Sequence, residues 1–213
     1  MGRSSLDTTE LIVRTIAQTS IDNEAYFAEL DGVVGDGDFG ISLANGFHKL
    51  MDQWDSLNRA NPGAFLKAVS MVITSRVGGV SGAIWGTGFM RAGIAAGDKA
   101  ELTYEDVVAM LRAAIEGMKK RGQSDLGDKT LLDAFVPAAD EFEKVRQNGG
   151  STLDALKGAA QVARQKTEEI KPWVAKRGRA SYTGERSCNT YDAGSIAIAV
   201  MAEKLVEVWE KAA

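Results

Sequence analysis

Residues 31–46 read DGVVGDGDFGISLANG, a glycine-rich turn followed by the start of a helical pattern. The aspartate loop, defined here as residues 31–40, carries three carboxylates: Asp31, Asp36 and Asp38. Glycines between them let the backbone turn tightly, so the carboxylates can converge. Carboxylates held close together repel one another unless a cation neutralises them. Mg²⁺ is held in proteins by a few carboxylates together with substrate phosphates, so this loop predicts a magnesium site.

The residues after Gly40 return to apolar side chains at helical spacing, among them Ile41, Leu43 and Phe47. A glycine-rich loop that enters a helix presents free backbone N–H groups to an anion. Carboxylates for a metal beside N–H groups for a phosphate indicate a metal–nucleotide site. A DGDG cluster is also typical of a simple turn, and for the loop taken alone both interpretations stay open.

The spacing after Asp36 excludes an EF-hand calcium site. In such a loop that starts at Asp36, Ile41 would occupy the position of the turn glycine, and Phe47 that of the bidentate glutamate. Neither side chain supplies what the motif needs.

Composition limits the classes of protein that remain. A chain of 213 residues with 45% hydrophobic and 25% charged residues can form one large domain with a buried core. A net charge of −4 gives no reason to expect nucleic acid or an anionic membrane as a partner. The single cysteine, Cys188, excludes an internal disulfide. With no apolar segment of membrane-spanning length and no signal-peptide pattern at the start, we expect a cytoplasmic protein.

Helices are expected to dominate, because the chain has only three prolines and its apolar residues recur at helical spacing. Local capping patterns indicate where several helices begin. These starts are Asp7 or Thr8, Asn61-Pro62, Thr103 with Asp106, and Ser151 with Asp154. Gly122 is expected to end the helix that Thr103 begins. About eight helices joined by short loops predict an all-α bundle, with residues 1–213 in one domain.

Residues 77–89, VGGVSGAIWGTGF, carry five glycines and little charge. We expect a loop that enters a helix near Ser81. Small side chains allow something to approach the backbone closely, and either a neighbouring helix or a flat ligand fits that description.

Two further loops are polar. Residues 127–130, GDKT, precede a helix start, and residues 173–194 lack helical periodicity. The second loop is basic, with the side chains Lys176, Arg177, Arg179 and Arg186. It is either solvated surface or an anion clamp. In an up-down bundle alternate loops lie at one end, so these loops and the aspartate loop can meet there.

Four motifs occur in the same order as in a known family. They are GDGDFGISLANGF, GGVSGAIWGTGF, RGQSDLGDKTLLD, and KRGRASYTGERS followed by DAGS. The set resembles the nucleotide-binding L subunits of dihydroxyacetone kinases, the DhaL family, over essentially the whole chain. The resemblance implies a closed barrel of about eight antiparallel amphipathic helices in one nucleotide-binding domain, with the nucleotide at one end.

The resemblance also implies functional residues. It gives two Mg²⁺ ions to Asp31, Asp36 and Asp38, and contacts to ADP or ATP to the other matching positions. Those positions are Phe39, Gly40, Ile41 and Ser42 at the phosphates and ribose, Val80 and Ser81 beside the nucleotide, Gly122, Thr130 and Leu131 at the adenine, Arg179 at the phosphates, and Asp192, Ala193 and Gly194 closing the pocket. The catalytic group implied is the three aspartates with Arg179.

The implied activity is transfer of a phosphoryl group from ATP to dihydroxyacetone or a related short ketose. The resemblance places the ketose on a separate K subunit, which holds it on a histidine. The only histidine here, His48, lies within a predicted helix away from the motifs, and we interpret it as a surface or satisfied residue.

Two alternatives remain. In one, ADP stays permanently bound and is recharged by a phosphoprotein of a phosphoenolpyruvate relay; in the other, the chain is a non-catalytic, nucleotide-sensing regulatory module. Phe39 and Ala193 depart from the family pattern. At the position of Phe39, relay-fed members commonly have histidine and ATP-dependent members have a small residue. At the position of Ala193, proline is common. Phenylalanine cannot hydrogen-bond a diphosphate, so Phe39 favours an exchangeable nucleotide and free ATP.

Overall fold

The structure is a computed structural model that describes residues 3–212. Within that range the regular elements are helices and no strand occurs. The α-helices are α1 (Ser5–Asp22), α2 (Glu24–Gly32), α3 (Asp38–Asp52), α4 (Pro62–Arg76), α5 (Gly79–Ala96), α6 (Tyr104–Gly122), α7 (Leu131–Gln147), α8 (Thr152–Ile170) and α9 (Ala193–Ala212). Two 3₁₀ segments cover Trp54–Ser56 and Arg179–Ser187. The predicted all-α class is confirmed.

The chain divides into two compact units. The first contains the residues up to Ile21 together with Ser42–Gln123, and the second contains Asp22–Ile41 together with the residues from Ser124 onward. Helix α3 begins in the second unit and continues in the first. A single domain over residues 1–213 stays a prediction.

The first unit contains α4, α5 and α6, packed in chain order. Its fully buried side chains include Phe47, Leu50, Phe65 and Ile73. The rings of Trp54 and Phe65 meet edge to face with their centroids 5.5 Å apart. Such aromatic burial supplies much of the apolar surface that stabilises a helical core.

Glycines in α5 bring neighbouring helices into close contact. A Cβ atom on Gly86 would collide with the Thr74 side chain of α4, and one on Gly88 would collide with Met118 of α6. The Ser70 hydroxyl donates a hydrogen bond to the Gly86 carbonyl at 2.6 Å. Gly86 and Gly88 therefore serve helix packing, one of the two explanations left open above, and a ligand beside the start of the segment stays a prediction. Helix α5 starts at Gly79, two residues before the predicted position.

The second unit packs α7, α8 and α9 against one another, and α2 contacts α9. Its fully buried side chains include Phe27, Leu132, Ile170 and Ile196. The Arg164 guanidinium on α8 donates two hydrogen bonds, each of 2.7 Å, to the Glu203 carboxylate on α9. This planar pairing fixes the rotation of the two helices toward each other.

Local capping predicted several helix starts correctly. The Asn61 side chain caps α4, and complete capping boxes begin α6 at Thr103 and α8 at Ser151. The start of α1 was predicted wrongly: the Asp7 amide donates to the Ser4 hydroxyl at 3.1 Å, so Ser4 is the cap and Asp7 its partner three residues on. At the other end of α6, Gly122 is the last helical residue and Gln123 takes the left-handed conformation. Between residues 3 and 212, no helix combines the length and the apolar character needed to cross a membrane.

Candidate functional site

The aspartate loop connects the end of α2 to the start of α3 within the second unit. The Asp31 carbonyl accepts hydrogen bonds from the amides of Val34 and Gly35, at 3.2 and 2.5 Å. The Asp31 carboxylate then accepts the amide of Phe39 at 3.4 Å. These contacts fold the loop back onto the first turn of α3. Asp38, the first residue of that helix, places a negative charge at the positive end of the helix dipole.

Two glycines of the loop are required by close approach. A Cβ atom on Gly35 would collide with the Asp31 carboxylate, and one on Gly40 would collide with backbone atoms of Glu24 and Ala28 in α2. Gly40, predicted as a nucleotide contact, therefore also seats α3 directly on α2. The carboxylates of the loop depend on that seating for their position.

Arg179 is the basic residue that reaches the aspartate loop. It begins the 3₁₀ segment of the basic loop, and its guanidinium is ion-paired with the Asp36 carboxylate. Both side chains are about half exposed, with relative accessibilities of 53% and 48%. An exposed ion pair adds little to stability. Its significance is placement, because the sequence predicted both residues at the same phosphate site and the structure brings them together.

The starts of α7 and α9 also lie side by side in this unit. Thr130 caps α7 in a capping box with Asp133. A Cβ atom on Gly194 of α9 would come within 3.1 Å of the Leu131 side chain. The predicted contacts at both helix starts therefore share one neighbourhood: Thr130, Leu131, Asp192, Ala193 and Gly194.

Asp192 has an unusual protonation equilibrium. Its carboxylate accepts the Ser195 amide at 2.6 Å and caps α9. Burial raises the pKa of Asp192 to about 7, and the negative charges of Asp133 and Asp31 act in the same direction. The Ser195 amide and the Lys129 ammonium oppose the rise. This carboxyl group therefore changes charge near neutral pH, next to two other aspartates.

Four predicted residues belong to the first unit. Ser42 lies in α3, Val80 and Ser81 lie in the first turn of α5, and Gly122 ends α6. Val80 is 68% exposed. His48 is an exposed residue of α3, in agreement with its interpretation as a surface residue.

The donor chemistry of the aspartate loop fits Mg²⁺. All three candidate ligands are carboxylates, the ligand type that Mg²⁺ prefers. Gly35 leaves the Asp31 carboxylate the space that a side chain would take. In the part of the chain from residue 3 to residue 212, no three His, Cys, Asp or Glu side chains already converge as a metal site.

Phe39 turns toward the interior of its unit. Its ring lies against Phe27 of α2, with centroids 6.1 Å apart and a tilt of 46°. The ring contributes packing between α2 and α3.

Lys129 is the residue of this region that sequence patterns did not single out. It is 2% exposed, lies in the GDKT segment and has a positive φ of 60°. A lysine in a polar loop ordinarily indicates solvated surface, so its burial carries no signal in the sequence.

The described part of the protein is helical, and the Arg179–Asp36 ion pair joins its basic loop to its acidic loop next to the start of α3. A family model, the DAK2 domain, matches residues 33–207. The chain belongs to the DAK2 domain family, as the resemblance to DhaL subunits implied.

Curated relatives extend over most of the chain. It is 33% identical over 180 residues to the ADP-binding subunit DhaL of the PEP-dependent dihydroxyacetone kinase of Escherichia coli, covering 84% of this chain and 86% of that one. It is 32% identical to the ADP-binding subunit DhaL of the PTS-dependent dihydroxyacetone kinase of Lactococcus lactis, covering 88% and 89%. Against the triokinase/FMN cyclase of Mus musculus it is 32% identical, covering 93% of this chain and 34% of that one.

Solved structures show the same fold. The native dihydroxyacetone kinase of C. freundii matches with a TM-score of 0.75 at 25% identity, covering 94% of this chain. The same kinase in complex with AMP-PNP and Mg²⁺ matches with a TM-score of 0.72 at 26% identity. This chain spans about a third of that kinase, 34% and 33% in the two structures.

Proposed function

We propose that this chain is the Mg–nucleotide-binding phosphotransfer subunit of a kinase for dihydroxyacetone or a related short ketose. It would pass a phosphoryl group to a sugar held on a separate K subunit. The observation that carries the proposal is the pairing of Arg179 with Asp36, which joins a basic loop to an acidic loop at the start of α3. The names of the relatives, ADP-binding subunits of dihydroxyacetone kinases, support the same activity.

The acidic side of the site would hold the metal. Asp31, Asp36 and Asp38 would ligate two Mg²⁺ ions, which when bound neutralise the negative charge of the phosphates. The start of α3, with Gly40, Ile41 and Ser42, would offer backbone N–H groups to the phosphates.

The basic side of the site would stabilise the transferring group. Arg179 can exchange one anionic partner for another, from the Asp36 carboxylate to a phosphate oxygen, because a guanidinium binds both with the same fork of donors. Charge on a phosphoryl group in transfer is spread over its oxygens, so a positioned cation lowers the barrier directly. Arg179→Ala is therefore expected to lower the transfer rate far more than the stability.

The nucleotide would be held by residues at the ends of several helices. Thr130, Leu131 and Gly122 would contact the adenine, and Val80 and Ser81 would lie beside the nucleotide. Asp192, Ala193 and Gly194 would close the pocket. The starts of α7 and α9 lie side by side at Leu131 and Gly194. This supports the contacts proposed for the second unit, namely residues 130–131 and 192–194.

Free ATP is the proposed phosphoryl donor. The inward ring of Phe39 offers no hydrogen bond to a diphosphate, so a contact that would help retain ADP is missing at this position. The nucleotide should therefore exchange.

A relay-fed subunit with permanently bound ADP is the second candidate. The relatives matched over most of their length favour it, since they are named as subunits of PEP-dependent or PTS-dependent kinases. The two candidates share the site and differ in the donor.

One assay separates these candidates. Purified protein is combined with Mg²⁺, dihydroxyacetone and a K subunit, and triose phosphate is measured with ATP or with a phosphoenolpyruvate-charged phosphoprotein. Product with ATP supports the first candidate, and product only with the phosphoprotein supports the second. Nucleotide binding without product from either donor would contradict both and leave the regulatory module.

A further inference from the structure

Lys129 is a buried cation in the second unit. Lysine is almost never fully buried without partners, because removing an ammonium from water is costly. Burial lowers the pKa of Lys129, while the neighbouring charge of Asp192 raises it. The residue also adopts a positive φ of 60°, which lysine rarely takes. Such an arrangement persists only when strong contacts hold it.

Three backbone carbonyls hold the Lys129 ammonium. Its Nζ donates to the carbonyls of Lys171 at 2.9 Å, Trp173 at 2.9 Å and Ser187 at 2.6 Å. An ammonium has three protons, so these bonds use its full donor capacity. Lys129 is therefore not available to bind a phosphate, the usual role of a lysine in a nucleotide site.

The three carbonyls lie on both sides of Arg179 in the connection between α8 and α9, which contains the basic loop. Lys171 and Trp173 follow the end of α8, and Ser187 ends the 3₁₀ segment that begins with Arg179. The ammonium thus ties the start of this connection to the end of the 3₁₀ segment that Arg179 begins.

One further contact attaches the same loop to the GDKT segment, and two others hold the loop internally. The Lys176 amide donates to the Asp128 carbonyl at 3.0 Å. The Ala175 amide donates to the Ser187 hydroxyl at 2.9 Å, and that hydroxyl donates to the Gly184 carbonyl at 2.6 Å. Backbone contacts of this kind define the path of the loop, whereas its arginine side chains remain exposed.

We propose that Lys129 is the positioning residue of Arg179. By joining the backbone segments before and after Arg179, its ammonium fixes the loop path that places the Arg179 guanidinium beside Asp36. The catalytic consequence rests on the proposed function, whereas the ordering of the loop does not.

The test replaces Lys129 by methionine. Lys129→Met keeps an unbranched side chain that is one atom shorter, removes all three donors and leaves the positive φ equally strained. The matched control is Lys204→Met, which removes an exposed lysine of α9 that pairs with Glu207 at 2.8 Å in the same unit.

The first measurement is amide hydrogen exchange of the nucleotide-free protein. In Lys129→Met, the amides of residues 173–188 should exchange at least about tenfold faster than in the parent, while those of α8 keep their protection. In Lys204→Met the loop should exchange at the parent rate. Unchanged exchange in the loop of Lys129→Met would overturn the proposal.

The second measurement is a double-mutant cycle in the transfer assay. Lys129→Met and Arg179→Ala should each lower kcat by about 10- to 100-fold, because small misplacements of a catalytic group carry penalties of that size. The double variant should be no slower than Arg179→Ala, and the KM for nucleotide should change little. Lys204→Met combined with Arg179→Ala should show independent effects. Additive losses for Lys129→Met would refute the positioning role.

The proposal can still be tested if the variant does not fold or if the parent protein has no transfer activity. If Lys129→Met does not fold, Lys129→Gln replaces it, since the glutamine amide has two N–H donors in place of three on a shorter side chain and should be coupled to Arg179 in the same way. If the parent protein transfers no phosphoryl group from any donor, the proposed function fails. Hydrogen exchange then still decides whether Lys129 orders the loop.

Discussion

Asp36 is both a predicted metal ligand and the ion-pair partner of Arg179. Its carboxylate is bound to a guanidinium, and the same carboxylate is a predicted Mg²⁺ ligand. Both partners are cations, so the two interactions compete for one group.

Replacing Asp36 by asparagine should weaken Mg²⁺-dependent binding of ADP by about 10- to 100-fold, the value of one charge-assisted contact. The change removes a charge and a ligand oxygen with little change in volume. Calorimetric titration with Mg–ADP measures the effect, and Asp52→Asn, at the exposed far end of α3, is the control. The metal assignment is wrong if the asparagine variants of Asp31, Asp36 and Asp38 all bind like the parent.

Asp192 should make the stability of the metal-free protein depend on pH. Its folded-state pKa of about 7 lies above the ordinary value of 3.8. Between these values the folded protein keeps a proton that the unfolded chain loses, so the free energy of unfolding should fall as pH rises from about 4 to about 7. Urea unfolding at several pH values measures the slope.

Asp192→Asn should reduce that slope, because the amide oxygen can still accept the Ser195 amide while the titrating group is gone. Asp154→Asn is the control, since the pKa of Asp154 is lowered and its titration lies below this window. A parent protein whose stability does not fall between pH 5 and 7 would contradict the assignment.

At the scale of elements, the position of α3 on α2 controls the aspartate loop. Gly40→Ala should destabilise the protein by about 1–3 kcal/mol, because the added methyl group meets backbone atoms of Glu24 and Ala28 that cannot move alone. The same variant should weaken Mg–ADP binding. Gly32→Ala is the matched control, since its Cβ atom would find no neighbour closer than 3.9 Å. Equal stability of the two variants would refute this role.

Helix starts were predictable because a capping pattern is local: Thr103, Ser151 and Asn61 act within three residues of themselves. The glycines of α5 were not interpretable alone, since a small residue leaves space without indicating what fills it. The burial of Lys129 could not be predicted for a similar reason. Its partners lie 42, 44 and 58 positions away, and nothing in the surrounding residues indicates burial.

The candidate site was predictable in its chemistry and less so in its contacts. Three aspartates in a glycine-rich loop predict a cation, but which cation reaches Asp36 depends on where the distant Arg179 lies. The inward turn of Phe39 likewise depends on Phe27, a partner that only the packing of α2 against α3 supplies.

At the scale of the whole molecule, the two candidate phosphoryl donors predict different rates of nucleotide exchange. Purified protein dialysed exhaustively with Mg²⁺ present should lose its nucleotide, as expected for a subunit that uses free ATP. Analysis of the retained material by mass or absorbance measures this. Phe39→His should slow the loss, because histidine offers a hydrogen bond worth roughly one to two powers of ten in affinity. Stoichiometric ADP in the dialysed parent would instead indicate the relay-fed type.

The three hydrogen bonds of the Lys129 ammonium close rings of the chain, as a covalent cross-link would, but they stabilise the protein in a different way. A disulfide restricts the unfolded chain and lowers its entropy. This chain has a single cysteine, and its ring of 58 positions is closed by an ammonium on carbonyl oxygens. That closure is released on unfolding, so its whole contribution belongs to the folded state. The loop therefore keeps its order in the presence of thiol reductants, and it re-forms on refolding without any oxidation step.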